Sequence, residues 1–363
     1  VTRAAEETAM PTEKLARAAV FAGPGSPHEI RSFPCPEPAG GEVLVRVAAC
    51  TLCGSDLHTY DGRRSAPVPT VLGHEILGVV EALGPDAPRQ DLAGEPLRIG
   101  DRVTWAVAAS CGGCALCQRD YPMKCERLVK YGHEAIRPGH VFHGGLADVC
   151  LLAPGSAILR VPDHVADAAA CPANCATATV AAALRVAGDV AGKVVLVQGA
   201  GLLGLTACAM ARQRGARAVV CSEPNAARRE LAVAFGATAA VEPERLAAVG
   251  MGFDVALELT GSPAAFEAAL PLLAIGATYV LVGAVFPSRP VPLAMEQVVR
   301  RWLTLRGVHN YAPRDLVAAV EFLAATEYPF AELVAGWLPL ERVDEAFGHA
   351  SDPGVLRFGV RPG

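Results

Sequence analysis

The sequence predicts an α/β fold in two domains, a β-barrel-like domain and a doubly wound parallel sheet. Three observations lead there. The chain has 363 residues, more than one hydrophobic core ordinarily organises. Its first third is built of short Val-rich segments separated by Pro and Gly clusters. From about residue 168 Ala-rich helical stretches begin to alternate with apolar strands.

In the first part, Glu42–Ala49, Gly78–Leu83 and Arg102–Val107 read as strands. Pro34, Pro36 and Pro38 punctuate one connection, and Pro85, Pro88 and Pro96 another. Prolines so placed favour a small barrel with long functional loops. In the second part the strands are Val194–Gln198, Ala218–Cys221, Val255–Leu259, Tyr279–Val282 and Leu303–Gly307. Leu202–Gln213, Ala226–Phe235 and Pro263–Leu273 are long enough to be the crossover helices between them. Such alternation is the signature of a parallel sheet covered on both faces. A last helix, Pro313–Ala325, and a strand near Val355–Val360 are expected to rejoin the first domain. The resulting boundaries are 1–168 with 310–363 for the barrel-like domain and 169–309 for the parallel sheet.

Composition narrows the function. Hydrophobic residues make up 52% and charged residues 19%, ordinary for a globular enzyme. A net charge of -5 gives no electrostatic attraction to nucleic acid or to an anionic membrane. No apolar run approaches the roughly 18 residues of a membrane span, and the Val165–Gly188 stretch is broken by Asp167, Pro172, Asn174 and Arg185. Charged residues crowd the first 15 positions, which is unlike a secretion signal. The chain is therefore expected in the cytoplasm, with Met10 as its natural start and a loose tail before Leu15. Twelve cysteines in that reducing compartment do not form a disulfide framework; their spacing carries the information.

Val194–Gln198 runs into Gly199-Ala-Gly201-Leu202-Leu203-Gly204 and then a helix. Gly199 permits the tight turn, Gly201 lets backbone N–H groups approach a diphosphate, and Gly204 lets helix and strand pack closely. The helix N-terminus favours the negative charge. Nineteen residues after Gly204, at the end of the next strand, stands Glu223. A carboxylate there accepts hydrogen bonds from adenosine ribose hydroxyls and repels a 2′-phosphate, which favours NAD over NADP. Arg228 and Arg229 follow closely and are the candidates to serve a phosphate instead.

Cys111, Cys114, Cys117 and Cys125 fall within 15 residues. Four thiolates on one loop suit a closed tetrahedral zinc site. An iron–sulfur cluster is the competitor, although its bacterial spacing brings the fourth Cys after three residues and before Pro. Here it comes after seven and before Glu126. A second constellation is Cys53-Gly-Ser55-Asp56-Leu-His58 with Gly73-His74-Glu75. Catalytic zinc takes three protein ligands and keeps an open position. Cys53 and His74 offer two; Cys175 is the best candidate for the third, with Cys171 as its rival.

These motifs, in this order, resemble the zinc-dependent medium-chain alcohol dehydrogenases over nearly the whole chain. The resemblance implies a GroES-like catalytic domain and a Rossmann coenzyme domain, NAD, and two zinc ions, one catalytic and one structural. It implies Cys53, His74 and Cys175 as catalytic zinc ligands, with Glu75 behind the metal as an exchangeable one. Asp56 would orient His74, Ser55 and His58 would relay the proton, and Thr179 would pack near the nicotinamide. Gly54 departs from members with a basic residue at that point, and Arg357 is expected to meet the diphosphate instead. The family also implies a homodimer or homotetramer joined through the coenzyme domain. Alternatives are a zinc-free quinone or enoyl reductase of the same fold, or a non-catalytic dinucleotide-binding protein.

Thr104–Glu134 and Pro172–Gly188 are similar to a bacterial subgroup of phosphonate-associated alcohol dehydrogenases. Lys130, His133, Arg137, His140 and His143 are placed to offer cationic donors to an acidic substrate; a solvated loop following the four cysteines is the alternative. The pocket itself is expected to be lined from Leu57–Tyr60, Trp105 and His309–Tyr311. The alcohol or carbonyl substrate is a small molecule whose identity the sequence leaves open.

Overall fold

A computed structural model describes residues 14–250 and 252–363. The segment before Leu15, and Met10 within it, lies outside these except for Lys14. Strands β1 (Leu15–Phe21), β2 (Glu29–Pro34) and β3 (Val43–Thr51) open the chain, and the short helix α1 (Gly54–Tyr60) follows. Next come β4 (Thr70–Val71), β5 (Glu75–Leu83), β6 (Arg102–Trp105), β7 (Ala108–Ala109), helix α2 (Ala115–Gln118) and β8 (Val129–Lys130). Strands β9 (Val149–Leu152) and β10 (Ile158–Arg160) close this part. The nearly continuous burial of β3 and of the first half of β5 puts their Val, Leu and Ile side chains into one core, each worth about 1.5–3 kcal/mol.

Helices α3 (Asp167–Ala170) and α4 (Ala176–Ala187) lead into the second part. There β11 (Val194–Gln198), α5 (Leu202–Gln213), β12 (Ala218–Ser222), α6 (Ala226–Ala234) and β13 (Ala239–Val241) are followed by β14 (Phe253–Glu258), α7 (Pro263–Ala269) and β15 (Leu273–Leu281). Helix α8 (Met295–Arg300) and β16 (Thr304–Gly307) complete a six-stranded parallel sheet in the order β13-β12-β11-β14-β15-β16. This is the expected Rossmann order, whose ligand crevice opens beyond β11 and β14. Helix α7 is shorter than the sequence pattern predicts, because Pro271 lacks an N–H and crowds the preceding turn. Strand β15 starts correspondingly earlier than Tyr279.

Helix α9 (Pro313–Ala325), β17 (Val334–Pro339), α10 (Val343–Ala350) and β18 (Arg357–Arg361) end the chain. The last strands join the first domain in the mixed sheet β10-β6-β5-β3-β18-β17, with β9 also on β3. Helix α9 packs on α4, and Val317, Val320 and Ala324 also share a cavity wall with Leu159 and Val161 of the first part of the chain. Leu316, Ala319, Val320 and Leu323 are buried at helical i, i+3, i+4, i+7 spacing, and the small side chains of α4 admit that stripe. Among the described residues no helix is long and apolar enough to cross a membrane.

Asp315 fixes α9 twice. Its carboxylate receives both arms of Arg185 on α4, at 2.6 and 2.9 Å, and accepts the Ala312 N–H at 2.9 Å at the helix start. The carboxylate is buried while the arginine is partly solvated, so solvent moderates the pair. Asp315→Ala is expected to lower stability by about 2 kcal/mol through the lost cap and ion pair, read from urea denaturation. A change under about 0.5 kcal/mol would remove Asp315 from this role.

Candidate active site

Four separate pieces of chain meet at one point. Cys53 stands immediately before α1, and its N–H donates to Asp56 Oδ2 at 2.9 Å. Gly73 turns with φ +87°, and a Cβ there would lie 2.7 Å from Cys50 Sγ; only glycine fits. The turn delivers His74 beside Cys53 and starts β5 at Glu75. Cys175 arrives from the 3-10 turn Cys171–Asn174 that leads into α4. Donor atoms of Cys53, His74, Glu75 and Cys175 all lie within 4.8 Å of one another. Cys171 is fully buried in the apolar core and takes no part.

The donor chemistry fits a zinc ion. His74 Nδ1 is 3.1 Å from Asp56 Oδ1, so Nε2 is left facing Cys175 Sγ at 3.4 Å and Ser55 Oγ at 3.5 Å. A carboxylate on the far nitrogen of a ligating imidazole fixes its tautomer and orientation. Burial opposes charge on His74, but the Asp56 carboxylate and the Cys53 sulfur outweigh it and push it up to about 10. A hydrogen bond from Cys175, with Arg357 and His74 adding, holds Cys53 well below the ordinary thiol range despite burial. The pocket therefore favours thiolate, the form that binds metal.

Behind the sulfurs, Glu75 is fully buried. It takes both arms of Arg357 at 2.8 and 2.9 Å and the Thr51 hydroxyl at 2.7 Å. Arg357 also reaches Cys53 Sγ at 3.7 Å and the Leu356 carbonyl at 2.8 Å. Arg357 also borders the cavity that the glycine turn lines, and its pairing with Glu75 supplies the charged partner that a buried carboxylate needs.

The ligands open into a cavity of about 400 Å³, within the range of small-ligand sites. Ser55 and His58 from α1, and Thr179 from α4, line it. So do Gly201, Leu202, Leu203 and Gly204 of the glycine turn, which places the turn and the metal donors on one space. Gly199 lies behind, with φ +94°. A Cβ at Gly204 would sit 1.9 Å from the Gly199 carbonyl oxygen, which is the close packing expected of that position. Glu223 ends outside the cavity. Its Oε2 accepts the Ala200 N–H at 2.7 Å and its Oε1 the Asn225 N–H at 2.9 Å. Arg228 donates to the Pro353 carbonyl at 2.7 Å, and Arg229 pairs with Glu242 at 3.0 Å.

Of the five candidate cationic donors, Lys130 and His133 line the cavity. Arg137, His140 and His143 do not: the two histidine rings stack 5.7 Å apart, and His143 Nδ1 bonds the Leu151 carbonyl at 3.1 Å. His309 and Asn310 border the cavity as expected, whereas Trp105 and Tyr311 are core residues. Asn174 was not singled out by sequence. Its amide donates to the His74 carbonyl at 3.0 Å and the Trp105 carbonyl at 2.8 Å, and Tyr311 donates to its backbone oxygen. A polar residue directly before a candidate ligand was the available signal. Arg64 and Phe286 on the cavity wall carry no sequence pattern at all.

The second cysteine group is as compact. Donor atoms of Cys111, Cys114, Cys117 and Cys125 also lie within 4.8 Å, with Cys125 Sγ accepting the Cys111 and Arg127 N–H groups, each at 3.3 Å. Backbone donors aimed at sulfur stabilise thiolate. The Arg127 side chain and backbone N–H groups draw Cys111 down to about 6. This set suits a closed tetrahedral metal site.

Residues 39–163 match the family model described as alcohol dehydrogenase GroES-like domain, and residues 203–325 the one described as zinc-binding dehydrogenase. An L-threonine 3-dehydrogenase of Pectobacterium carotovorum subsp. carotovorum is 33% identical over 76% of this chain and 79% of its own. A geraniol dehydrogenase of Castellaniella defragrans is 31% identical over 93% of this chain and 95% of its own. The crystal structure of an alcohol dehydrogenase from Thermotoga maritima superposes with a TM-score of 0.89 at 27% identity, covering 96% of this chain and all of that one. Sequence motifs, two-domain fold and paired cysteine sites agree, and the chain belongs to the zinc-type medium-chain alcohol dehydrogenase family.

Proposed function

We propose that the protein is a zinc-dependent alcohol dehydrogenase that moves hydride reversibly between an alcohol and NAD. The observation that carries this reading is a single cavity that joins Cys53, His74 and Cys175 to the glycine turn. Zinc bound by these three residues supplies a Lewis acid for the alcohol oxygen. Ser55 takes the hydroxyl proton, and His58, one turn along α1 and against the Phe286 ring, releases it to solvent. The glycine turn receives the cofactor diphosphate and Thr179 packs near the nicotinamide, facing it to the carbinol carbon, and the apolar cavity wall keeps water away. A complete donor set argues against a zinc-free reductase, and the relay residues argue against a non-catalytic binder.

Glu223 supports NAD. Each of its oxygens accepts one backbone N–H, which leaves lone pairs for ribose hydroxyls and a negative charge against a 2′-phosphate. Cys111, Cys114, Cys117 and Cys125 are assigned to a second, structural zinc. Six cysteines committed to metal suit a reducing compartment, the cytoplasm. A second copy of the chain is assigned to the free edge of β16, where Ile275, Met295, Val299 and Trp302 are all at least 72% exposed. That much uncovered apolar surface beside an unpaired strand favours association.

Elemental analysis of the purified protein is expected to give about two zinc ions per chain and no visible colour, as two tetrahedral sites require. Cys175→Ser should lose one zinc and Cys171→Ser neither; the reverse pattern, or an iron–sulfur absorbance, defeats the assignment. In an alcohol panel followed by NADH formation, Ser55→Ala should lower kcat about 100-fold with both zinc ions retained. Unchanged turnover removes the relay, and equal or better use of NADP removes the NAD assignment. Light scattering should report a dimer or tetramer that Trp302→Asp weakens, whereas a monomeric wild type discards the β16 interface.

A further inference from the structure

A second cavity, of about 740 Å³, adjoins the active one. The two share Val282, Val285, Val308, His309 and Asn310 as a common wall. The remaining walls are the segment that follows α2, one face of α4, the end of β16 and the start of α9. Cys53, His74, Cys175 and the glycine turn are absent from them. Neither the reacting carbon nor the cofactor diphosphate, as placed above, occupies this space. Five cations line it, Arg119, Lys124, Arg185, Arg306 and Arg314, against one carboxylate, Asp120. In a chain of net charge -5, that cleft concentrates the minority sign.

Two of the five are satisfied. Arg314 donates to Asp120 at 2.9 Å, tying α9 to the segment after α2, and Arg185 is held by Asp315, which lies outside the lining. Among the described residues Arg119, Lys124 and Arg306 form no ion pair. Lys124 Nζ stands 2.5 Å from His309 Nδ1. An ammonium only donates, so that ring nitrogen accepts. Burial, then the charges of Lys124, Lys130 and Arg64, holds His309 down to about 4. The wall between the two cavities thus registers an excess of positive charge. On a convex surface such side chains diverge into water. Inside a cleft their fields add, and low-dielectric walls focus them on whatever enters.

We propose that this cleft is a second ligand site, separate from the substrate and coenzyme sites, for a small polyanion with two phosphoryl groups held by Arg119, Lys124 and Arg306. Planar guanidinium forks take phosphoryl oxygens in pairs, and the Lys124 ammonium adds a point charge. One phosphoryl ester carries about -1.5 to -2 at neutral pH, so three uncompensated cations call for two such groups. A nucleoside diphosphate and a sugar bisphosphate share this chemistry. They differ in the base, for which Tyr121, 47% exposed, and Met123 offer an aromatic and apolar face on the same lining.

The test is calorimetry of the zinc-loaded, full-length protein saturated with NAD, which closes the coenzyme site to competitors. The probes are ADP, fructose 1,6-bisphosphate and inorganic phosphate. At least one of the two-phosphoryl probes is expected to bind once per chain, at least about 10-fold more tightly than inorganic phosphate, the scale of one added charge-assisted hydrogen bond. Its affinity should fall steeply as salt is raised. Arg119→Gln and Arg306→Gln should each weaken it by about 10-fold or more. Arg306→Lys should recover part of the loss, and keeps the test decisive if Arg306→Gln does not fold. Tighter binding of ADP that Tyr121→Ala removes identifies a nucleotide; equal binding of both probes identifies the phosphoryl pair alone. No binding at millimolar concentration, as when a second copy of the chain fills the cleft, overturns the proposal. So does binding that Arg119→Gln and Arg306→Gln leave unchanged. No alcohol is oxidised in the measurement, so its outcome is independent of the dehydrogenase reading.

Discussion

The hydrogen bonds of the Asn174 side chain hold the site together. One amide donates to two carbonyls, of His74 and Trp105, and the next residue is the third metal donor. Backbone carbonyls of the catalytic domain are thereby tied to the turn that begins the coenzyme-domain helices. Asn174 is fully buried, where an unmade polar contact costs about 1–3 kcal/mol, so the register between the two pieces is strongly specified. Tyr311, arriving ahead of α9, closes the same junction through the Asn174 backbone oxygen and the Val107 N–H. The position of Cys175 relative to His74 therefore depends on contacts made by its neighbour.

Around that junction, charge is arranged in two buried pairs. Asp56 with His74 sits on one side of the sulfurs and Glu75 with Arg357 on the other. Buried ions are tolerated only when paired and hydrogen-bonded, and each pair is fully supplied. Asp56 also receives the Cys53 and Gly73 N–H groups, and Glu75 the Thr51 hydroxyl. The result is a rigid frame in which the imidazole keeps one nitrogen free and Cys53 is driven toward thiolate. Arg64 and Lys130 line the same cavity and, among the described residues, form no ion pair.

The cofactor side follows the same economy of position. Gly204 permits contact with Gly199 that any side chain would prevent, and Glu223 braces the turn through Ala200. The acidic residue read from sequence as a ribose acceptor thus also shapes the loop that would receive the diphosphate. A carboxylate with both oxygens already engaged is held in one orientation.

Much of this was legible in the sequence. Strand–helix alternation fixed the parallel domain because period and length are local properties, and β11, α5 and α9 fall on the residues that the pattern picks out. Cysteine spacing identified the four-thiol loop for the same reason: its ligands share one short segment. What the sequence left open depended on long-range contact. Cys171 and Cys175 are equivalent on paper, and only the turn into α4 buries one and presents the other. Arg357 is 282 residues from Glu75, a pairing that no local rule reveals. Lys130 was one of five cations in a row of loops, and the fold selected it with His133 while sending Arg137, His140 and His143 elsewhere. Local chemistry named the parts; packing over long chain separations decided which of them share a cavity.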